Sequence, residues 1–299
     1  MNLGLNTEPA ACFASVQTQI RDLMMLLRCE RESGFHKEIK ASAVSGRKAL
    51  FGRSGRNSIF LRLLSAKKIL RNIDRTAEFL PAAGFFSDSR SLSRRQDYIK
   101  HDLLYFIAAT DCNEDTVGHS QFVAAYSLLL AKAAGIEDAQ QLADIEHGAL
   151  LHDIGKIGIP ESVLRKPGSL TALEREIVGE HPLIGYEIIR EFDFLKNAAQ
   201  IVLSHHERID GGGYPYGLAG REIPFEALIF SIADSIDAIT SDRPYRKGRG
   251  FEEAFREIEK CSGSQFDPSL VRLVRSISKE RWLQAKLATF SRLSFPTIH

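Results

Sequence analysis

The chain has 299 residues, of which 44% are hydrophobic and 26% charged, with a formal net charge of +1. That length holds one large or two ordinary domains with a sizeable core, and the composition is that of a soluble globular protein. The overall balance gives no argument for nucleic acid or a membrane surface as partner, and no apolar run approaches the roughly 20 residues that cross a bilayer.

Residues 1–97 read as a separate region. Phe13, Val16, Ile20, Leu23, Leu26 and Leu27 recur at helical spacing, which predicts an amphipathic helix over about Ala11 to Glu32. The start lacks a basic stretch followed by an apolar one, so no secretory signal is expected. From Ser33 to Asn57 the chain is rich in Gly, Ser and basic residues and reads as a loop or arm. Between Lys37 and Arg75 eleven basic residues face only Glu38 and Asp74, a local excess of +9 that leaves the rest of the chain acidic. Such an arm is either a solvated connector or a contact for an anionic partner, and it lacks the interleaved aromatics that stacking on single strands needs. Ile59, Leu63, Leu64, Ile69, Leu70 and Ile73 suggest another helix, and 81–95 is the natural linker.

From Tyr98 onward the pattern is helical. Leu103, Leu104, Phe106 and Ile107 form one apolar face; Phe122, Val123, Tyr126 and Leu128 to Leu130 form another. Leu142, Ile145, Leu150 and Leu151 lead into His152-Asp153. Thr171 followed by Glu174 is a capping box, which predicts a helix running through His181 toward Phe192 with a kink at Pro182. Ala198, Ile201, Val202 and Leu203 carry a helix into His205-His206. Phe225 to Thr240 forms another, and Asp267-Pro268 opens a last one. The glycines and prolines between Gly211 and Pro224 forbid a helix there, so that segment must be a shaped loop. Cys12, Cys29, Cys112 and Cys261 are scattered without a CxxC, which fits reduced packing residues in a cytoplasmic protein.

The chemistry centres on Ala149 to Pro160. A histidine beside an aspartate at the end of an apolar helix can offer a metal one imidazole and one carboxylate able to bridge to a second ion. A lone pair of this kind is more often just hydrogen-bonded. Here His119, His181, His205, His206 and Asp234 lie on flanking helical segments, as when a bundle interior assembles a polynuclear site. Asp115 stands four residues before His119, where it can cap the helix or share a face with the histidine.

The run His152-Asp153-Ile154-Gly155-Lys156-Ile157-Gly158-Ile159-Pro160, then Lys166-Pro167-Gly168, then His205 through Pro215 with its Gly213-Tyr214-Pro215, resembles the HD-GYP family of HD phosphohydrolases over roughly 98–279. The resemblance implies an all-α fold, an HD-type helical bundle with extra C-terminal helices, occupying 98–299 behind the small helical region 1–97. It implies that His119, His152, Asp153 and Asp234 hold one metal and Asp153, His181, His205 and His206 a second, with Asp153 as the bridge. In many members a glutamate stands where this chain has Asp115 and supports a third ion; with the shorter side chain, two ions with Asp115 as an auxiliary ligand are expected. Imidazoles and carboxylates without thiolate suit iron or manganese. Two such ions lower the pKa of a shared water, which can then attack phosphorus.

The activity so implied is hydrolysis of cyclic di-GMP to linear pGpG and onward to GMP. Asp153 and Lys156 are the catalytic pair, and Lys156 reaches a phosphate. Arg243 and Arg246 either fork onto the other phosphate or a guanine edge, as the resemblance favours, or cap the preceding helix. Gly213, Tyr214 and Pro215 shape the substrate site and offer a contact for diguanylate cyclases; Glu207, Asp210 and Asp237 read as residues that orient histidines or the loop. A homodimer is also expected. The competing readings are a phosphodiesterase for another cyclic dinucleotide, such as cyclic GMP-AMP, and a receptor or scaffold that has lost turnover.

Overall fold

The computed structural model describes residues 118–243 and 246–294, together with Lys67 and Arg71. The helices read over 11–32 and 59–73, the linker 81–95, the apolar face at Leu103 to Ile107, the boundary between 97 and 98, and Asp115 all lie outside the described residues. The chain divides into two units: 108–156 with 171–299, and 1–107 with 157–170. In the second of these the described part holds a one-turn helix, Glu161–Leu164, closed by the Arg165–Glu161 ion pair at 2.8 Å.

The larger unit is helical, with no strand among its described residues. In chain order its α-helices are α1 (His119–Ala133), α2 (Ala139–Leu151), α3 (Ala172–Val178), α4 (His181–Ile189), α5 (Lys196–Ser204), α6 (Phe225–Thr240), α7 (Phe251–Lys260), α8 (Pro268–Ser276) and α9 (Lys279–Ser294). Helix α1 lies against α2 and α6, and α5 lies against α2 and α4. The apolar stripes read from the sequence meet there: Val123, Tyr126, Leu130, Ile145, Leu151, Val202, Ile229 and Phe230 are buried. The C-terminal helices extend this core. Trp282 of α9 is fully buried, with its ring 5.6 Å from Tyr126 and 5.8 Å from Phe255. Truncating a core tryptophan of this kind costs about 3–5 kcal/mol.

Local chemistry sets the helix ends. Asp138 caps α2 by accepting from Gln141 N, and Asp267 caps α8 by accepting from Leu270 N, with Pro268 in the first turn. The Thr171–Glu174 capping box is present at the start of α3. One helix from Thr171 to Phe192 was expected, bent at Pro182; the chain instead makes two, breaking at Gly179-Glu180. Proline has no N–H for the Val178 carbonyl and its ring crowds that position, so α3 stops at Val178 and Pro182 enters the first turn of α4.

Candidate metal centre

That break orients a histidine. The Val178 carbonyl, which Pro182 cannot use, accepts from Nδ1 of His181 at 2.7 Å. His152 and His205 each follow the last residue of a helix, α2 and α5, where backbone carbonyls lack helical partners. Each turns Nδ1 to the carbonyl three residues back, His152 to Ala149 at 2.9 Å and His205 to Val202 at 2.7 Å. In all three rings Nδ1 therefore donates to a carbonyl, which turns Nε2 to the interior as the nitrogen available to a metal. The negative ends of α2 and α5 also converge here, which favours a cation.

Six of these side chains form two groups. His119, His152 and Asp234 offer ligand atoms within 4.8 Å of one another, and so do His181, His205 and His206. Asp153, which is buried, stands between them: one carboxylate oxygen lies 3.1 Å from Nε2 of His152 and the other 3.3 Å from Nε2 of His181. Nε2 of His181 faces Nε2 of His205 at 3.1 Å. With both protons on Nδ1 this sets two lone pairs against each other, an arrangement that a shared cation converts from repulsive to favourable. The residues present thus fit metal ions by donor type, burial and ring orientation.

The electrostatics of the two groups differ. Burial works against charge on His119, but its hydrogen bonds to Asp234 and Asp237 outweigh this and hold its pKa well above the ordinary value. Burial likewise opposes charge on Asp153 and Asp234. The neighbouring His152 and Lys156 nonetheless hold Asp153 well below the usual carboxylate range, and His119 brings Asp234 to about 2. In the other group burial and adjacent imidazoles act together: His205 is pushed well down and His206 down to about 4.

The supporting residues explain the tight turns. A Cβ on Gly155 would collide with the His181 carbonyl, so the segment after Asp153 can pass α4 only as glycine. A Cβ on Gly213 would lie 2.5 Å from the His206 carbonyl, which locks the loop onto the histidine pair. Glu207 is buried and accepts from the backbone N–H of Tyr216 at 2.8 Å and of Leu218 at 3.0 Å. Tyr214 consequently stacks on His206, with centroids 4.6 Å apart and planes 25° apart. Asp210 pairs with Arg208 and accepts from Gly212 N at the loop's entrance.

Lys156 is half-buried with Nζ 2.5 Å from Asp153, so its ammonium is bound to the carboxylate between the groups. Arg246 takes the capping alternative: its guanidinium donates to the carbonyls of Ala238 and Ile239 at the end of α6. Arg243 is joined to Arg246 through two backbone hydrogen bonds. Sequence reasoning missed Ser241, whose hydroxyl donates to Asp237 at 2.8 Å; its place four residues after Asp237 was the available signal.

A model of the HD domain matches residues 104–270. The chain belongs to the HD domain family. It carries the HD-GYP motifs of that family, and HD domain phosphohydrolases depend on metals, in keeping with the two groups. It is 45% identical over 168 residues to a cyclic di-GMP phosphodiesterase of Thermotoga maritima, covering 56% of this chain and 45% of that one. It is 44% identical over 145 residues to the cyclic di-GMP phosphodiesterase response regulator RpfG of Xanthomonas campestris, covering 48% and 38%. A 3′3′-cGAMP-specific phosphodiesterase of Vibrio cholerae is 37% identical over 153 residues, covering 51% and 33%. The chain thus spans less than half the length of these curated relatives. No helix among the described residues is long and apolar enough to cross a membrane.

Proposed function

We propose that this HD-GYP chain is a metal-dependent phosphodiesterase that hydrolyses cyclic di-GMP to linear pGpG and onward to GMP. The observation that carries the reading is Asp153, with one oxygen toward each of two histidine groups. His119, His152, Asp153 and Asp234 hold one ion, and Asp153, His181, His205 and His206 the other; iron or manganese suits this donor set. Bound there, two divalent ions supply Lewis acidity toward the phosphodiester and an activated water.

The chain's own residues do the rest. Lys156, now paired with Asp153, is a cation at the centre and turns to a substrate phosphate once the carboxylate is engaged elsewhere. Tyr214 keeps 37% of its surface exposed beside His206 and offers a base a ring to stack on, with Gly213 and Pro215 setting its position. Arg243 contacts the second phosphate or a guanine edge, and Arg246 supports it from the end of α6. Catalysis resides in 98–299, and 1–97 serves another role. The exposed Tyr216 gives the loop a contact for a diguanylate cyclase, and pairing of two copies and a cytoplasmic location complete the reading.

A second substrate has one finding behind it, the cyclic GMP-AMP relative, whose name concerns a dinucleotide with the same phosphodiester ring. Metal-loaded protein incubated with cyclic di-GMP and, in parallel, with 3′3′-cyclic GMP-AMP, with products followed by chromatography, tests both. Faster conversion of cyclic di-GMP to pGpG is expected. Faster turnover of cyclic GMP-AMP would reverse the assignment, and binding of either without a product would make the chain a receptor.

A further inference from the structure

His152, His181 and His205 turn Nδ1 to backbone carbonyls, whereas His119 turns that nitrogen to a side chain. Nδ1 of His119 lies 2.7 Å from Asp237, 118 positions away, while Nε2 lies 3.2 Å from Asp234. Both carboxylates come from α6, three residues apart, so one helix grips both nitrogens of the ring. Asp237 is 1% exposed, and Ser241 donates to its second oxygen at 2.8 Å, which fixes the carboxylate's rotation. A carboxylate there only accepts, so Nδ1 keeps its proton, and when an ion takes the place of the proton that Nε2 shares with Asp234, Nε2 is the ligand atom.

We propose that Asp237, pinned by Ser241, is a positioning residue that sets the ring state of His119 and thereby decides whether the His119–His152–Asp234 group, and only that group, takes its metal. The proposal rests on the two-ion reading of the centre. In the other group backbone carbonyls orient His181 and His205, and no substitution removes them. The informative change is Asp237→Asn, nearly equal in size. Its amide can donate to Nδ1, which moves the ring proton to Nε2 and removes the lone pair that an ion needs.

The test loads wild-type protein, Asp237→Asn and Ser241→Ala anaerobically with manganese. Ions per chain are counted by elemental analysis, affinities by titration, magnetic coupling by electron paramagnetic resonance, and folding by circular dichroism. The expected result is two coupled ions in wild type and one uncoupled ion in folded Asp237→Asn. Ser241→Ala should keep two ions, one of them bound roughly 10-fold more weakly, at the low end for a partner of a ligating histidine. Two ions at unchanged affinity in Asp237→Asn, or loss of both from folded protein, would overturn the proposal. If Asp237→Asn does not fold, Ser241→Ala decides, and unchanged affinity for both ions would refute it. A wild-type protein that binds no ion would remove the two-ion reading and the proposal with it, an outcome separate from any difference between variants.

Discussion

The two halves of the candidate centre are built from the same part, a histidine at a helix end, and reach opposite electrostatic states. Beside His119 and His152 stand Asp153, Asp234 and Asp237, so positive and negative groups satisfy one another without an ion. Among the described residues the carboxylate that touches this group is Asp153, at His181, with Asp234 acting on His206 from farther off, and Nε2 of His181 meets Nε2 of His205 at 3.1 Å. The first half is therefore balanced in charge by itself, whereas the second sets neutral imidazoles together in a way that suits a cation. The difference shows that ligand identity alone does not define a metal site. The partners of the ligands set their charge and orientation as well.

Asp153 is the one residue common to both halves, and its loss should have the largest effect. Asp153→Ala is expected to lose both ions and to fall to background hydrolysis, because a bridge serves two sites at once. Elemental analysis beside the chromatographic assay checks this, and full metal occupancy in the variant would show that the halves are independent.

The comparison sharpens with the metals removed by chelation. His119→Ala leaves the buried Asp237 and the partly buried Asp234 without their shared partner, and breaking a buried pair in this way costs about 3–5 kcal/mol. His206→Ala removes a ring whose described contacts are with Tyr214 and other imidazoles, and should cost about 1 kcal/mol. Urea unfolding of the chelated proteins separates the two values. Equal costs would mean that the carboxylates do not stabilise the first half.

Much of this was legible in the sequence because it is local. His152 and His205 follow apolar helical runs, and Phe225 to Thr240 was bounded correctly by Pro224 and the change of pattern beyond it. What was not legible depends on chain segments far apart. The facing Nε2 atoms of His181 and His205 belong to residues 24 positions apart in sequence, and the grip on His119 spans 118 positions. Pro182 was read as a kink in one helix, since its crowding is visible in the sequence while the extent of the break is not. Arg246 could cap α6 or reach a ligand with equal ease from its position, and only the folded chain commits it to the Ala238 and Ile239 carbonyls.

Lys156 tests the same contrast more gently, because its ammonium occupies the carboxylate that joins the halves. Lys156→Met removes a cation that competes with metal for Asp153. Both ions should bind at least as tightly as in wild type, while hydrolysis falls roughly 10- to 100-fold through loss of a charged contact to phosphate. Metal titration and kinetics on the same preparation provide the check. Loss of metal in this variant would make Lys156 a structural support of the centre.

The smallest expected effect concerns how far the carboxylate-rich half extends. Asp115 precedes His119 by four residues, and the resemblance to HD-GYP proteins implies a glutamate supporting a third ion at this position. An aspartate is one methylene shorter and reaches roughly 1.5 Å less far by ordinary bond lengths, whereas ligand distances tolerate only about 0.2 Å of error. Two ions per chain are therefore expected after anaerobic loading with iron or manganese. A third, weakly held ion should appear in Asp115→Glu, with the second half unaffected because no change there alters its imidazoles. Elemental analysis of both proteins at matched concentration measures this. Three tightly held ions in the unmodified chain would mean that the backbone before His119 brings the shorter carboxylate within reach, and that this half binds more metal than its carboxylate spacing implies.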